Sequence, residues 1–281
     1  MSQSKKTVLV TGCSDGGLGA ALSVAFHNAG WHVIATARDV TKMKNLQAQG
    51  IETQQLDVLS DSSIKECVGR VQHLDMLLNN AGGGYSMPIS DLSIPQAKQL
   101  FDLNVWSYIA VTQAFLPLLL RSKGTIVNNT SVAGLMTMPF QAAYNASKAA
   151  MINFSDSMRL ELEPFGVNVV NLLTGGVNSN FFQNATKNTG SRLPKGSLYE
   201  PAKDAVEKLM SGEPLVQGNP SASDWARQVV NDLVRPRPPM NIWRGGSAFM
   251  VRLASFLPFG TTDGMIKKLV GLDVVAKSIQ V

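Results

Sequence analysis

Six short apolar runs alternate along the chain with stretches long enough to be helices. The runs are Thr7–Thr11, Trp31–Thr36, Ile51–Leu56, Leu74–Leu78, Gly124–Thr130 and Val167–Leu173. The helical stretches read at Leu18–Ala29, Thr41–Gln49, Asp61–Gln72, Gln96–Ser122 (as two helices) and Ala142–Pro164. Continuous apolar runs suit strands buried on both faces, and strands alternating with helices build βαβ units. The pattern predicts an α/β fold, a doubly wound parallel sheet covered by helices on both sides. After Ser179 the alternation lapses. Residues 180–222 are rich in Gly, Pro, Asn and Ser, with a helix expected near Pro201–Met210. A connection of that length in a compact domain reads as a functional lid or a mobile segment. A helix at Ser223–Val234, a Pro-rich stop and a short strand at Asn241–Arg244 follow.

Composition removes several classes of function. Cys13 and Cys67 cannot build a disulfide framework and fit a reducing compartment. His27, His32 and His73 show no metal-ligand spacing, so no metal is expected. The net charge of +5 sits in one segment, with six bases and one acid between Arg235 and Lys268. Elsewhere the charges cancel and no basic run is interleaved with aromatics, so nucleic-acid binding is not expected. From Leu103 to Leu120 no residue is charged, but Asn104, Ser107, Thr112, Gln113 and Pro117 interrupt the run. It reads as a buried or subunit-interface helix rather than a membrane span. No secretion, myristoylation or prenylation signal is read at either end, and a cytoplasmic location is expected.

The first strand ends in Thr11-Gly12-Cys13-Ser14-Asp15-Gly16-Gly17-Leu18-Gly19, and a helix follows. Glycines let a backbone turn tightly and approach a pyrophosphate, and a helix N-terminus offers free N–H groups. This predicts a dinucleotide site of the Rossmann type. Past the second strand stand Arg38 and Asp39. A carboxylate there would bind the ribose hydroxyls of NAD, and an arginine suits the extra phosphate of NADP. The forked charge of Arg38 favours NADPH, with Asp39 open as a helix N-cap. Asp15 adds negative charge inside the loop.

Tyr144 and Lys148 lie four residues apart on an expected helix and so share a face. Ser131 precedes Tyr144 by 13 residues, at the end of the strand Gly124-Thr-Ile-Val-Asn-Asn-Thr-Ser131. Free tyrosine has a pKa of about 10. A neighbouring ammonium and an oxidised nicotinamide favour the phenolate, so Tyr144 can exchange a proton with a carbonyl oxygen while Ser131 holds that oxygen.

From Lys6 to about Ser179, with the strand near Trp243, the chain resembles the short-chain dehydrogenase/reductases. The motifs that carry this stand in order: the glycine loop, Asp57-Val58, Asn79-Asn80-Ala81-Gly82, Asn104, Ser131, Tyr144-Asn-Ala-Ser-Lys148, and Thr174-Gly175-Gly176-Val177-Asn178-Ser179. The resemblance implies that Tyr144 is the acid–base, that Lys148 binds the nicotinamide ribose and lowers the tyrosine pKa, and that Ser131 orients the substrate carbonyl. It implies a proton-relay water on Asn104. Gly12, Ser14, Gly17, Leu18 and Gly19 would hold the pyrophosphate, Arg38 the extra phosphate, and Asp57 and Val58 would border the adenine. Asn80 would lie near the adenosine ribose, Ala81 and Gly82 would also line the cofactor site, and Val177 and Ser179 would meet the carboxamide end. Two departures stand out: the glycine loop is one residue longer than the usual pattern, and Thr174 replaces the proline that usually precedes Gly175. Ile242-Trp243-Arg244-Gly245-Gly246, with the loop insertion, resembles the fungal NADPH-dependent 1-acyldihydroxyacetone-phosphate reductases and related enzymes of secondary metabolism.

The expected organisation is a catalytic domain over 1–246 and an amphipathic helical extension over 247–281. In the extension, Ala248-Phe249-Met250-Val251, Leu253, Phe256-Leu257 and Phe259 run beside Arg252, Lys267 and Lys268. Such a stretch suits either an anionic membrane surface or the closure of a pocket or interface. Surface contact would place the protein on the endoplasmic reticulum or a lipid droplet. Met136, Met138, Phe140, Phe181 and Phe182 are candidates for an apolar pocket, and Lys187, Arg192 and Lys195 for a substrate phosphate. The expected activity is reduction of a hydrophobic ketone in a homodimer or homotetramer; a non-catalytic NADP(H) sensor or scaffold is the alternative.

Overall fold

The computed structural model describes residues 5–181, 183, 192–212, 218–258, 260–269 and 271–279. Phe182, Lys187 and Phe259 lie outside them. The strands are β1 (Thr7–Thr11), β2 (His32–Ala37), β3 (Glu52–Gln55), β4 (Met76–Asn79), β5 (Thr125–Ser131), β6 (Asn168–Thr174) and β7 (Asn241–Arg244). They form one parallel sheet in the order β3-β2-β1-β4-β5-β6-β7. The order reverses between β1 and β4, and ligands of such sheets bind at that crevice, beyond the C-terminal strand ends.

The helices are α1 (Leu18–Asn28), α2 (Lys44–Ala48), α3 (Asp61–Arg70), α4 (Ile94–Phe101), α5 (Ser107–Ser122), α6 (Ala142–Leu162), α7 (Lys203–Met210), α8 (Ala222–Leu233), α9 (Ala248–Ala254), α10 (Asp263–Leu269) and α11 (Leu272–Ile279). Alternate strand side chains point to opposite faces, both covered by helices, which is why β1 and most of β2, β4 and β6 are apolar, whereas the edge strand β3 (Glu-Thr-Gln-Gln) is not. Val8, Val10, Leu78 and Leu172 face Leu22 and Phe26 of α1 and Trp225 and Val229 of α8. Leu9, Leu77, Ile126 and Val169 face Ile64 of α3 and Val111, Phe115 and Leu119 of α5.

The two helices expected within Gln96–Ser122 are one unbroken run. It starts at Ile94, with Ser93 as N-cap and Pro95 in the first turn, and passes through a π-turn at Asp102–Trp106 into α5. No turn residue separates the halves, so one wide turn absorbs the change of register. The run Ile94–Ser122 is long and apolar enough to cross a membrane, but half of its apolar window is buried within this fold. Beyond Gly246 the described residues include three short helices, α9, α10 and α11. Ala248 and Val251 of α9 pack on Val132 and Leu173. Leu272 and Val275 of α11 join a cluster with Tyr85, Phe140, Val206 and Tyr144.

Candidate active site

β1 delivers the chain to the crevice at Thr11. The loop then turns through Gly12 and Gly16, both in the left-handed region (φ 74° and 78°). A Cβ on Gly12 would stand 2.8 Å from the Ala81 Cα, and one on Gly19 2.5 Å from the Gly12 carbonyl oxygen. Gly17 caps α1 without a side-chain bond, which leaves first-turn N–H groups unpaired by any cap. A backbone cradle that side chains would fill, with free amide donors behind it, fits a dinucleotide diphosphate. Ser14 and Leu18 lie half-buried along this turn. Asp15 turns aside, accepting from the Asn45 N–H at 3.3 Å. The Asn180 side-chain amide lies against Gly16 and donates to the Asp15 carbonyl at 3.5 Å.

Past β2, Asp39 is the N-cap of a 3₁₀ turn, accepting from the Thr41 N–H at 3.0 Å and the Thr41 hydroxyl at 2.6 Å. These bonds hold its carboxyl below the usual range. Of the two residues left open there, Asp39 is the one engaged locally. Arg38 is exposed and makes no salt bridge among the described residues. Asp57 accepts from the Leu59 N–H at 3.0 Å, and the Val58 side chain packs into the core. At the turn after β4, the Asn80 and Ala81 N–H groups both donate to the Thr11 hydroxyl at 2.9 Å. The Asn80 amide reaches the Thr11 and Gly12 carbonyls at 2.8 and 3.2 Å. Val177 is buried and Ser179 half-buried; the Ser179 hydroxyl accepts from the Phe181 N–H at 3.4 Å.

β5 and α6 bring Ser131, Tyr144 and Lys148 together. Ser131 and Lys148 are buried and Tyr144 is half-buried, with the Ser131 hydroxyl near the phenol. The Ser131 hydroxyl donates to the Thr174 carbonyl at 3.2 Å. Lys148 Nζ lies 5.9 Å from the Tyr144 ring centre and donates to the Asn129 carbonyl at 3.0 Å. Burial pushes the Tyr144 phenol up to about 12, and the Ser131 hydroxyl opposes this only in part. Burial pushes the Lys148 ammonium down to about 8.

Asn104 sits on the π-turn, a distortion frequent at functional sites. Its amide donates to the Gly83 carbonyl and the Ser147 hydroxyl, each at 3.0 Å, and accepts from the Gly83 N–H at 2.9 Å. A Cβ on Gly82 would stand 3.1 Å from Asn104 Oδ1 and 3.8 Å from Lys148 Nζ, so a glycine keeps that space open.

The Phe181 ring lies 5.7 Å from that of Tyr144, and Phe140 stacks edge-on against Tyr199 at 5.4 Å. Phe140 has φ 62°, a strained value for a bulky residue, and its carbonyl accepts from the Met87 N–H at 2.7 Å. Met138 is half-buried, whereas Met136 packs with Val132 and Leu173. Arg192 and Lys195 are exposed.

Sequence reading missed Thr11, Tyr108, Asn129 and Asn180. For Asn129 a signal existed: an amide in a strand buried on both faces must find partners.

Comparison with known proteins agrees with this architecture. The family model for short chain dehydrogenase matches residues 6–190. A short-chain dehydrogenase/reductase of Pestalotiopsis microspora is 52% identical over 281 residues, covering 100% of both chains. The NADPH-dependent 1-acyldihydroxyacetone phosphate reductase of Schizosaccharomyces pombe is 36% identical, covering 98% of this chain and 97% of its own. The crystal structure of a short-chain dehydrogenase from Streptomyces avermitilis superposes with a TM-score of 0.75 at 29% identity, over 98% of each chain. With the parallel sheet, the glycine turn and the Ser131–Tyr144–Lys148 grouping already in place, these matches settle the lineage: the chain belongs to the short-chain dehydrogenase/reductases, an oxidoreductase family.

Proposed function

We propose that the protein uses NADPH to reduce a ketone on a hydrophobic substrate to the alcohol. The observation that carries this reading is the Tyr144 phenol, half-buried near Ser131 and one helical turn from Lys148, whose Nζ lies 5.9 Å from its ring centre. Bound NADPH would supply the hydride. The chain's own residues do the rest. The Ser131 hydroxyl donates to the substrate oxygen and steadies its developing charge. Tyr144 keeps its proton at neutral pH and delivers it to that oxygen. Lys148, held by the Asn129 carbonyl, stabilises the phenolate left behind. Asn104 and Gly82 leave room for a water through which the proton is replaced. A scaffold would have no use for this whole set.

Exposed Arg38 beside the locally engaged Asp39 supports NADPH over NADH. Phe181 and Met138, with the apolar cluster beside Tyr144, support a hydrophobic ketone. Lipid-like acyl-ketone phosphates and natural-product ketones both fit, and the name of the Schizosaccharomyces pombe relative supports including the former. Leu272 and Val275 in the Tyr144 cluster favour pocket closure as the role of the C-terminal extension. Phe249, Met250, Leu253, Phe256 and Leu257 stand exposed on its outer side, the face a membrane or second subunit would use. We place the protein in the cytoplasm as a homo-oligomer. A panel of ketones offered with NADPH tests the reading: turnover of an acyl-dihydroxyacetone phosphate or a polyketide or quinone ketone supports it, and no NADPH consumption with any of them counts against it.

A further inference from the structure

Asn129 is an amide in a buried strand, 6% exposed. Its carbonyl accepts from Lys148 Nζ at 3.0 Å and from the Tyr108 hydroxyl at 3.2 Å. Its side chain donates to Asn80 Oδ1 at 2.9 Å and accepts from the Thr174 hydroxyl at 2.6 Å. The direction of this chain of bonds is dictated by its ends. The Thr11 and Gly12 carbonyls only accept, so the Asn80 NH₂ must face them. Asn80 Oδ1 is then left for the Asn129 NH₂, and Asn129 Oδ1 for the Thr174 hydroxyl proton. Thr174 is thus tied by an amide relay to the turn of the glycine loop. Its own carbonyl meanwhile receives the Ser131 hydroxyl. A proline at 174 has no hydroxyl with which to close the relay.

We propose that Asn129 and Thr174 are a matched pair of positioning residues that hold the 174–179 loop in register with the glycine loop, and so set the two ends of the dinucleotide site relative to each other. This rests on the cofactor reading above. Without the relay the adenosine half would still find its cradle, whereas the nicotinamide half would meet a loop free to drift from Ser131 and Tyr144.

The test measures binding of 2′,5′-ADP, which carries only the adenosine half, beside binding of NADPH, for wild type, Thr174→Val, Thr174→Ser, Asn129→Leu and Thr174→Val combined with Asn129→Leu. Thr174→Val keeps the shape and loses the hydroxyl. It should leave 2′,5′-ADP within about twofold and weaken NADPH by about three- to tenfold, the scale of one neutral hydrogen bond. Thr174→Ser should restore NADPH binding. In the Asn129→Leu background, the further change at 174 should cost less than twofold. If Asn129→Leu does not fold, the Val and Ser variants alone decide. Equal weakening of both ligands, no weakening of NADPH, or failure of serine to rescue would overturn the proposal. Wild-type protein that ignores 2′,5′-ADP and NADPH but binds 5′-AMP and NADH would overturn the NADPH reading instead, and the same variants then decide the relay with those two ligands.

Discussion

Lys148 Nζ stands 5.9 Å from the centre of the Tyr144 ring, inside the fold, and no carboxylate pairs with it among the described residues. An ammonium without a counter-ion is destabilising there, and its position makes sense as an arrangement for chemistry. Between about pH 8, where folded Lys148 titrates, and its ordinary 10.5, the fold binds fewer protons than the unfolded chain. The penalty is therefore full below about 8 and fades as pH rises through that window.

Lys148→Met should separate stability from function. At neutral pH, without cofactor, it removes a desolvation penalty of at most about 3 kcal/mol. Thermal unfolding should shift upward by several degrees, and the gain over wild type should shrink above pH 8. Turnover should fall by at least about a hundredfold. A variant less stable than wild type at pH 7 would show that the ammonium holds the site together rather than straining it.

Arg38→Ala should weaken NADPH by about ten- to a hundredfold and leave NADH nearly unchanged, because a charge-assisted phosphate contact is worth about 1.5–3 kcal/mol. Titration with both cofactors checks it. Equal losses would make Arg38 structural and return Asp39 to the cofactor.

The extension gives a third outcome. Val275→Asp places a charge in the apolar cluster beside Tyr144 and should raise KM for apolar ketones at least several-fold. Phe249→Ser with Phe256→Ser, on the outer face, should leave turnover unchanged. Full-length protein should not sediment with anionic vesicles at physiological salt, since a short interrupted amphipathic stretch binds membranes weakly. Strong sedimentation, lost in the double serine variant, would assign that face to a membrane.

Most strands were legible because a sheet covered on both faces favours continuous apolar runs, as in Val8-Leu9-Val10, but their order in the sheet was not read from the sequence. The π-turn at Asp102–Trp106 was not, since no residue type encodes a wide turn and Leu103–Leu120 simply reads as helix. Ser131, Tyr144 and Lys148 were legible through spacing, because four residues on a helix is a fixed geometry. The raised Tyr144 phenol was not, because desolvation depends on how completely β5, α6 and Phe181 close around it. Thr174 stood out only as a departure from the usual proline; its bond to Asn129 joins residues 45 positions apart and needs the β5–β6 register to exist.

Tyr144→Phe tests the central claim most directly. The ring would still pack against Phe181, while the proton donor is gone. NADPH consumption is followed with whichever ketone the wild type turns over, and NADPH binding is measured on the same preparation. The account predicts that binding stays within about twofold and that turnover falls by at least about a hundredfold. Turnover retained at more than a few per cent of wild type, with binding intact, would contradict it.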